Sequence, residues 1–309
     1  MDTTPNNMNA LFRSYRVAFT DGLQASGQRV DELDLLLDEL AMAAPVTGEA
    51  SVHAWLDAVP RLRKWVGDRI VESLGKGALT VVNDDFESTV NVPRNKVEDD
   101  QYGLYTPLVR IMGQQGGSLW LRLVVEALVG GVSAKWADDT TFFLSTRKYG
   151  GNTINNKTTN VLSANALSAA ILAMESYVGR NDEPMEVAPE YLVVGPKLRD
   201  TAWDLVKNQF VIAETGKGGT KQNVLKGRLQ LRISRRLVGA YANFWFVTGS
   251  QGGIKPVFVQ KRKEPVLTAL TQEDDENVFW KNNFVYGTHA RGASFLTLPH
   301  LCYGGIVSA

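Results

Sequence analysis

The glycine-rich run Gly216-Lys-Gly-Gly-Thr220, followed by Lys221, has the residue types of a phosphate cradle, in which backbone N–H groups and an ammonium meet an anion. The order is wrong for that chemistry. A P-loop needs a glycine, four residues and then Gly-Lys-Ser/Thr, and no dinucleotide-type glycine fingerprint opens a helix elsewhere. The run reads as a flexible surface loop. The three histidines, His53, His289 and His300, stand far apart and form no zinc-type pair. Thr248-Gly-Ser-Gln-Gly252 places a threonine where a nucleophile elbow needs its first glycine. Cys302 follows His300 by two residues, but closeness in sequence is not a nucleophile–base geometry. The acidic clusters Asp84-Asp85, Glu98-Asp-Asp100 and Glu273-Asp-Asp-Glu276 carry hard oxygen ligands, and equally have the make-up of solvated turns and helix N-termini. Lys261-Arg-Lys263 is too short for a specific nucleic-acid site and reads as a solvated strand edge. Arg232 and Arg235-Arg236 read as a subunit contact or a surface coat. No catalytic residue, cofactor ligand or metal ligand is nominated.

Composition agrees with a globular protein that does no obvious polyanion chemistry. Of 309 residues 44% are apolar and 21% charged, and 33 basic residues balance 33 acidic ones, so the whole chain exerts no pull on nucleic acid or anionic membrane. Zero net charge favours self-association over colloidal repulsion. One cysteine excludes an internal disulfide framework and suits a reducing compartment. The N-terminus lacks a signal-peptide pattern, and the longest apolar run, Leu237 to Val247, falls well short of a membrane span. The expectation is a soluble protein made in a cytoplasm.

The elements that would position these residues are mixed. Leu11, Phe12, Tyr15, Phe19 and Leu23 recur at helical spacing, as a core-facing helix or an arm laid on a neighbouring subunit. Val30 to Ala44 reads as a second helix, ended by Pro45 and Gly48. Lys64 to Leu74 reads as strand or short helix, and Ala78 to Val92 as a β-branched strand, with Gly75-Lys-Gly77 as the turn of a long hairpin. Thr106-Pro107 reads as the cap and first residue of a helix running to Val129. Its glycines, Gly113, Gly116 and Gly117, imply close backbone packing or a local break. Ser163 to Tyr177 reads as a capped helix, Pro189 to Pro196 as a buried strand and Leu198 to Val206 as a helix. Strands are expected at Arg228–Ile233, Asn243–Val247, Pro256–Gln260, Val278–Tyr286 and Ala293–Leu298. Helices and strands mix without regular βαβ alternation, so the class is α+β.

Three groups of residues carry a resemblance: Pro60-x-Leu-x-x-Trp65-x-Gly67-x-Arg69, then Phe86-Glu87-x-Thr89-Val90-x-Val92-x-Arg94, then Glu98-Asp99-Asp100-x-x-Gly103-x-Tyr105-x-Pro107. Together they resemble the major head (capsid) subunit family of Mu-like bacteriophages. Phe142-Phe143, Pro189-x-x-Leu192 and Phe279 to Gly287 are similar in order and spacing, so the resemblance spans about Ser51 to Gly305. The turn after Phe142-Phe143 departs from the family: it reads Leu-Ser-Thr-Arg-Lys-Tyr149, without the histidine often found there.

The resemblance implies the Hong Kong 97-type capsid fold. Its parts would be an N-terminal arm and helices over residues 1–50, a projecting extended-loop hairpin over 51–106, and the spine helix and peripheral domain over 107–188. The axial domain would cover 189–253 and the return strands of the peripheral domain 254–309. It further implies copies that assemble as hexamers and pentamers into an icosahedral head around double-stranded DNA. Scaffold and portal proteins would be partners in assembly, a decoration protein a further one, and the virion the destination. Residues expected at contacts between subunits are Trp65, Arg69, Ile70, Glu72, Lys76, Phe86, Glu87 and Arg94. Some heads of this fold are stapled by lysine–asparagine bonds, and Lys76 stands at the expected hairpin tip. An encapsulin-like nanocompartment shell and an α+β enzyme are the other readings open from sequence. An enzyme would require a convergent polar pocket.

Overall fold

The structure is a computed structural model that describes residues 5–44, 50–56, 76–99, 103–149, 151–179, 182–212 and 220–308. The N-terminal pattern is realised as helix α1 (Pro5–Ala25), which buries Tyr15 and Phe19 within its own chain. The stretch Val30 to Ala44, read as a helix, is mostly not one. Only α2 (Leu37–Leu40) is helical, and strand β1 (Ala41–Ala43) follows. Asp31 and Asp34 explain the difference: their carboxylates accept the backbone N–H groups of Leu33 (3.1 Å) and Asp31 (2.9 Å), local bonds that compete with a helix.

The hairpin also differs from expectation. Strand β3 (Lys76–Val82) pairs antiparallel with β2 (Ala50–Leu56), not with Lys64–Leu74, which lies outside the described residues. Gly75-Lys-Gly77 is therefore not the turn: Lys76 and Gly77 stand inside β3, opposite Leu56 and Trp55. Ser51 and Val81, paired and both buried, fix this register. The predicted single strand to Val92 breaks at buried Asn83, and β4 (Asp84–Pro93) joins a different sheet.

Short helix α3 (Arg94–Glu98) leads to α4 (Tyr105–Gly117) and α5 (Leu119–Gly130). The helix starts two residues before Pro107, which sits in the first turn where an absent N–H costs nothing. The predicted rod is divided at Ser118. Beyond it come β5 (Arg147–Tyr149), β6 (Asn152–Ile154), β7 (Lys157–Thr158) and α6 (Ala164–Glu175). The Ser163 hydroxyl caps α6 as expected, accepting the Ala166 N–H at 3.2 Å. Then follow β8 (Ala188–Val194), α7 (Arg199–Val206), β9 (Phe210–Ile212), β10 (Thr220–Gln222), β11 (Gln230–Ile233) and β12 (Trp245–Ser250). Long strand β13 (Val257–Leu270) is joined through α8 (Glu276–Lys281) to β14 (Asn283–Leu296), and β15 (Cys302–Gly305) ends the chain. The predicted strand from Val278 thus begins as helix α8, which closes on Asn282 in the left-handed region (φ 51°).

Among the described residues two larger sheets form. One is five-stranded, in the order β11-β8-β12-β15-β7, with α6 and α7 against it; it draws in Lys157–Thr158 and Cys302–Gly305 from outside 189–253. The other is four-stranded, β1-β13-β14-β4, with α5 across its base. One core unites α5, the base of this sheet and the five-stranded sheet. A second, smaller core lies further along the long hairpin, where Tyr15 and Phe19 of α1 meet Val109, Leu267, Phe284 and Tyr286.

Helices α1 and α4 touch through their backbones. A Cβ on Gly22 would stand 2.0 Å from the Arg110 carbonyl oxygen, and one on Gly113 would stand 2.1 Å from that of Phe19. This accounts for glycine in the middle of a helix. On an exposed helix face, alanine in place of glycine stabilises by about 1 kcal/mol. At Gly113 the sign reverses: Gly113→Ala is expected to lower the midpoint of thermal unfolding, and a raised midpoint would refute the backbone contact.

Candidate functional site

The residues that could do chemistry are not brought together. His300 is buried in the turn before β15, its Nε2 2.8 Å from Gln251 Oε1, and burial holds its pKa down to about 3. Cys302 is fully buried in β15, and burial pushes its thiol up, away from the nucleophilic thiolate. Thr248 is buried within β12, and Thr248-Gly-Ser250 continues that strand through a register shift at Thr248/Gly249; it is not a strand-to-helix elbow. His289 lies part-exposed on β14, where Asp85 of β4 receives both it (3.2 Å) and Arg291 (3.6 Å). The side chain of His53 and most of the run Gly216–Thr220 lie outside the described residues. Among the described residues no three His, Cys, Asp or Glu side chains could hold a metal ion. A cavity of about 1050 Å³ opens between the end of α1, the α4–α5 junction and residues 34–43. Of the acids lining it, Asp34 is ion-paired with Arg235 at 2.8 Å and Glu264 accepts the Trp120 indole N–H at 2.8 Å.

The surfaces are more informative. Of the expected contact residues, Trp65, Arg69, Ile70 and Glu72 fall outside the described residues, and Lys76 is placed in β3 by its backbone. Phe86 is half-buried: Arg122 of α5 stacks over its ring at 5.5 Å, so part of its surface is committed within the chain. Glu87 is exposed and accepts the Thr89 hydroxyl at 2.8 Å. Arg94 lies 6.0 Å over the Phe284 ring and 3.8 Å from Glu273. Phe86, Glu87 and Arg94 therefore sit along one element, β4 and its end. Among the described residues β4 is the outer strand of its sheet, and Glu87 to Asn91 are exposed on both faces.

Two buried polar side chains were invisible in the sequence reading. Arg147, in the turn that departs from the family pattern, is fully buried and ion-paired with Asp138. It donates to the carbonyls of Thr141 and Phe142 and stacks at 5.3 Å over Trp136. Asn156, also fully buried, accepts the Leu144 N–H (2.8 Å) and donates to the carbonyls of Phe142 and Pro299 (both 3.0 Å). Together they tie the loop after α5 to the C-terminal strand. The only hint in the sequence was the unusual arginine itself.

The described residues thus form two cores, a helix divided at Ser118, a long two-stranded arm and a second sheet of mixed order. The procapsid subunit of bacteriophage JBD30 superposes with a TM-score of 0.53 at 22% identity, over 97% of this chain and 75% of that one. At that identity the likeness shows the fold. The sequence model of the family described as Mu-like prophage major head subunit gpT matches residues 8–161, 149–237 and 232–306. The chain belongs to this family. It is 24% identical to the Mu-like prophage FluMu major head subunit of Haemophilus influenzae, over 99% of this chain and 76% of that protein. It is also 24% identical to the major capsid protein of Escherichia phage Mu, over 95% and 72%. Its function is that of a major capsid protein of a tailed phage.

Arg147 makes the stability of this subunit depend on acid. Burial raises the Asp138 carboxyl, but hydrogen bonds from Thr140 and the Arg147 guanidinium outweigh it and hold the group below its ordinary value of 3.8. A depressed carboxylate contributes stability above its unfolded pKa, and loses it as pH falls through the folded one. Arg147→Ala leaves the carbonyls of Thr141 and Phe142 without their buried donor and is expected to cost about 1–3 kcal/mol in chemical denaturation at neutral pH. Asp138→Asn is expected to flatten the acid limb of the stability profile. An unchanged limb would remove Asp138 as its source.

Proposed function

We propose that this subunit assembles with copies of itself as hexamers and pentamers into an icosahedral head around double-stranded DNA, and that its role is structural and not enzymatic. The observation that carries the reading is the β2–β3 ladder. Among the described residues it is a two-stranded sheet with no third strand on either side, and Val82 at its end is 56% exposed. A ladder of two strands is marginal alone in water and needs a surface to lie on. A neighbouring copy would supply that surface.

On this reading residues 51–106 form the extended-loop region, and Trp65, Arg69, Ile70, Glu72 and Lys76 reach the neighbour. Phe86, Glu87 and Arg94 border the contact along β4. Charged residues there would fix register and orientation more than they add affinity. Residues 1–50 act as an N-terminal arm region, 107–188 as spine and peripheral domain, 189–253 as axial domain and 254–309 as return strands. Scaffold and portal proteins take part in assembly and a decoration protein coats the outside. With 33 charges of each sign, contact with DNA is local and non-specific. The same fold would serve a nanocompartment shell; family membership supports the phage head.

Co-expression with the scaffold protein, followed by sedimentation and electron microscopy, tests this directly. Closed particles are expected from the full chain. Replacing Leu56–Gly77 by a short glycine-serine turn is expected to leave a folded subunit that no longer closes shells. Monomers from the full chain, or normal particles from the shortened one, would defeat the reading.

A further inference from the structure

The most exposed aromatic pair on the described surface is at the far end of the long β13–β14 hairpin. Phe279 and Trp280 of α8 are 70% and 76% exposed, and their rings meet edge to face at 5.0 Å. Large aromatics of this kind are costly to leave in water and dominate the energetics of protein contacts when covered. Beside them Leu270, the last residue of β13, is 51% exposed.

The tip holding the rings is built and not loose. Val278 is buried beneath α8, and the Asn277 side chain donates to the carbonyls of Leu270 (3.0 Å) and Asn283 (2.6 Å). Asp275 accepts the Gln272 N–H at 2.8 Å, and Asn282 donates to Asn95 at 2.9 Å. A pre-ordered apolar pair binds without a large ordering cost. Around it lie Glu273, Asp274, Asp275 and Glu276; Glu273 meets Arg94 of its own chain at 3.8 Å, and Lys281 is the cation within the helix.

The complement stands in the middle of the same strand. Two register shifts in β13, between Lys261 and Val266, break the in-out alternation, so that Lys261, Arg262, Lys263 and Glu264 are all exposed. Lys261 is engaged with Glu264 (3.4 Å) and with the Trp120 ring (5.5 Å). Arg262 and Lys263 make no ion pair among the described residues. From Lys263 to Leu270 a strand rises about 23 Å at roughly 3.3 Å per residue. The acidic tip and the basic bulge of one chain are held apart on one arm, so they can neutralise each other only between chains.

We propose that the Phe279–Trp280 tip of one subunit docks on the Arg262–Lys263 bulge of a second copy, rings covered and acids paired with the two cations. The contact joins two different patches, so it is heterologous and passes from copy to copy instead of ending at a pair, closing into a ring where the rotation between copies closes. It rests on the self-assembly reading and names a contact within it that the β2–β3 hairpin does not make.

The test uses the full chain with its scaffold. Phe279→Ser with Trp280→Ser is expected to raise the subunit concentration needed for particles at least tenfold, with the thermal midpoint of the free subunit unchanged because both rings are solvent-facing. Reversing charge at the tip (Glu273→Lys with Asp274→Lys) or at the bulge (Arg262→Glu with Lys263→Glu) is expected to block particles. Subunits carrying both reversals are expected to recover them. Particles formed normally by the serine variant overturn the proposal. So does failure of the combined reversal to recover what each single reversal lost. Normal particles that instead lose a decoration protein overturn it too, by assigning the tip to that partner. Absence of particles from the unaltered chain would remove the self-assembly reading itself.

Discussion

The joint between α5 and the β13–β14 hairpin holds the rest of the subunit in place, and it depends on a tryptophan lying on a glycine. Trp120 rests against Gly292, where a Cβ would come within 2.6 Å of the ring and 2.2 Å of the Gln260 carbonyl oxygen. Its indole N–H donates to Glu264 at 2.8 Å, and the Lys261 ammonium lies 5.5 Å from the ring centre. Leu123, Val124, Val125 and Leu128 complete the buried face of α5, and each such side chain stabilises by about 1.5–3 kcal/mol when fully buried. The irregular register of β13 lies at this joint, around Pro265, whose missing N–H suits a bulge. Across it Glu264 reaches Trp120 while Arg262 and Lys263 stay exposed. An interior contact and an exterior patch thus share one irregular stretch of strand.

Much of the scaffold was legible because it obeys local rules. The spacing of Leu11, Phe12, Tyr15 and Phe19 gave α1, Ser163 gave the start of α6, and the apolar run before Pro196 gave β8. What failed did so where side chains overrule periodicity or pairing is long-range. Val30 to Ala44 carries helical spacing, but Asp31 and Asp34 spend their oxygens on nearby backbone N–H groups. Gly75-Lys-Gly77 has the residues of a turn, yet Ala50–Leu56 is the partner of β3, and which distant strand will pair is not written in either strand alone. Strand β14 was read as two pieces, Val278–Tyr286 and Ala293–Leu298, because Gly287 and Gly292 interrupt its run of β-formers, and the first piece was started too early because α8 (Glu276–Lys281) contains β-formers of the same kind.

The contact surface was less legible than the fold. Contact residues were nominated from the hairpin, where a resemblance pointed, and several of those described are engaged with their own chain: Phe86 under Arg122, Arg94 over Phe284. Sequence alone could not separate Phe279 and Trp280 from Phe284 and Tyr286, five or six residues on, although the first pair is open to water and the second buried in the smaller core. Exposure of an aromatic depends on which side of its element meets the core: Tyr15 of α1 packs on Tyr286, and of α8 it is Val278 that joins this cluster, leaving Phe279 and Trp280 on the open side. Arg147 shows the reverse case, a charged residue that any reading of composition would place outside and that the fold buries completely.

A subunit that must adhere to its copies also has to avoid adhering to everything else, and the edge strand β4 shows how the two demands coexist. It is ten residues long, outermost among the described strands of its sheet and solvent-exposed on both faces from Glu87 to Asn91, the form of edge that invites indiscriminate pairing. Charge guards one end, with Asp84, Asp85 and Glu87 in sequence, and Pro93 stops the other, where an N–H is missing from the ladder. Asp85 is further held by His289 and Arg291 from the neighbouring strand, so the acidic end stays on the sheet instead of swinging into solvent. Between these guards only Ser88 to Val92 is uncharged, too short a run to recruit a long foreign strand. Adhesion is thus removed from the backbone edge, which cannot discriminate partners, and concentrated in side chains, where ring shape and charge sign can.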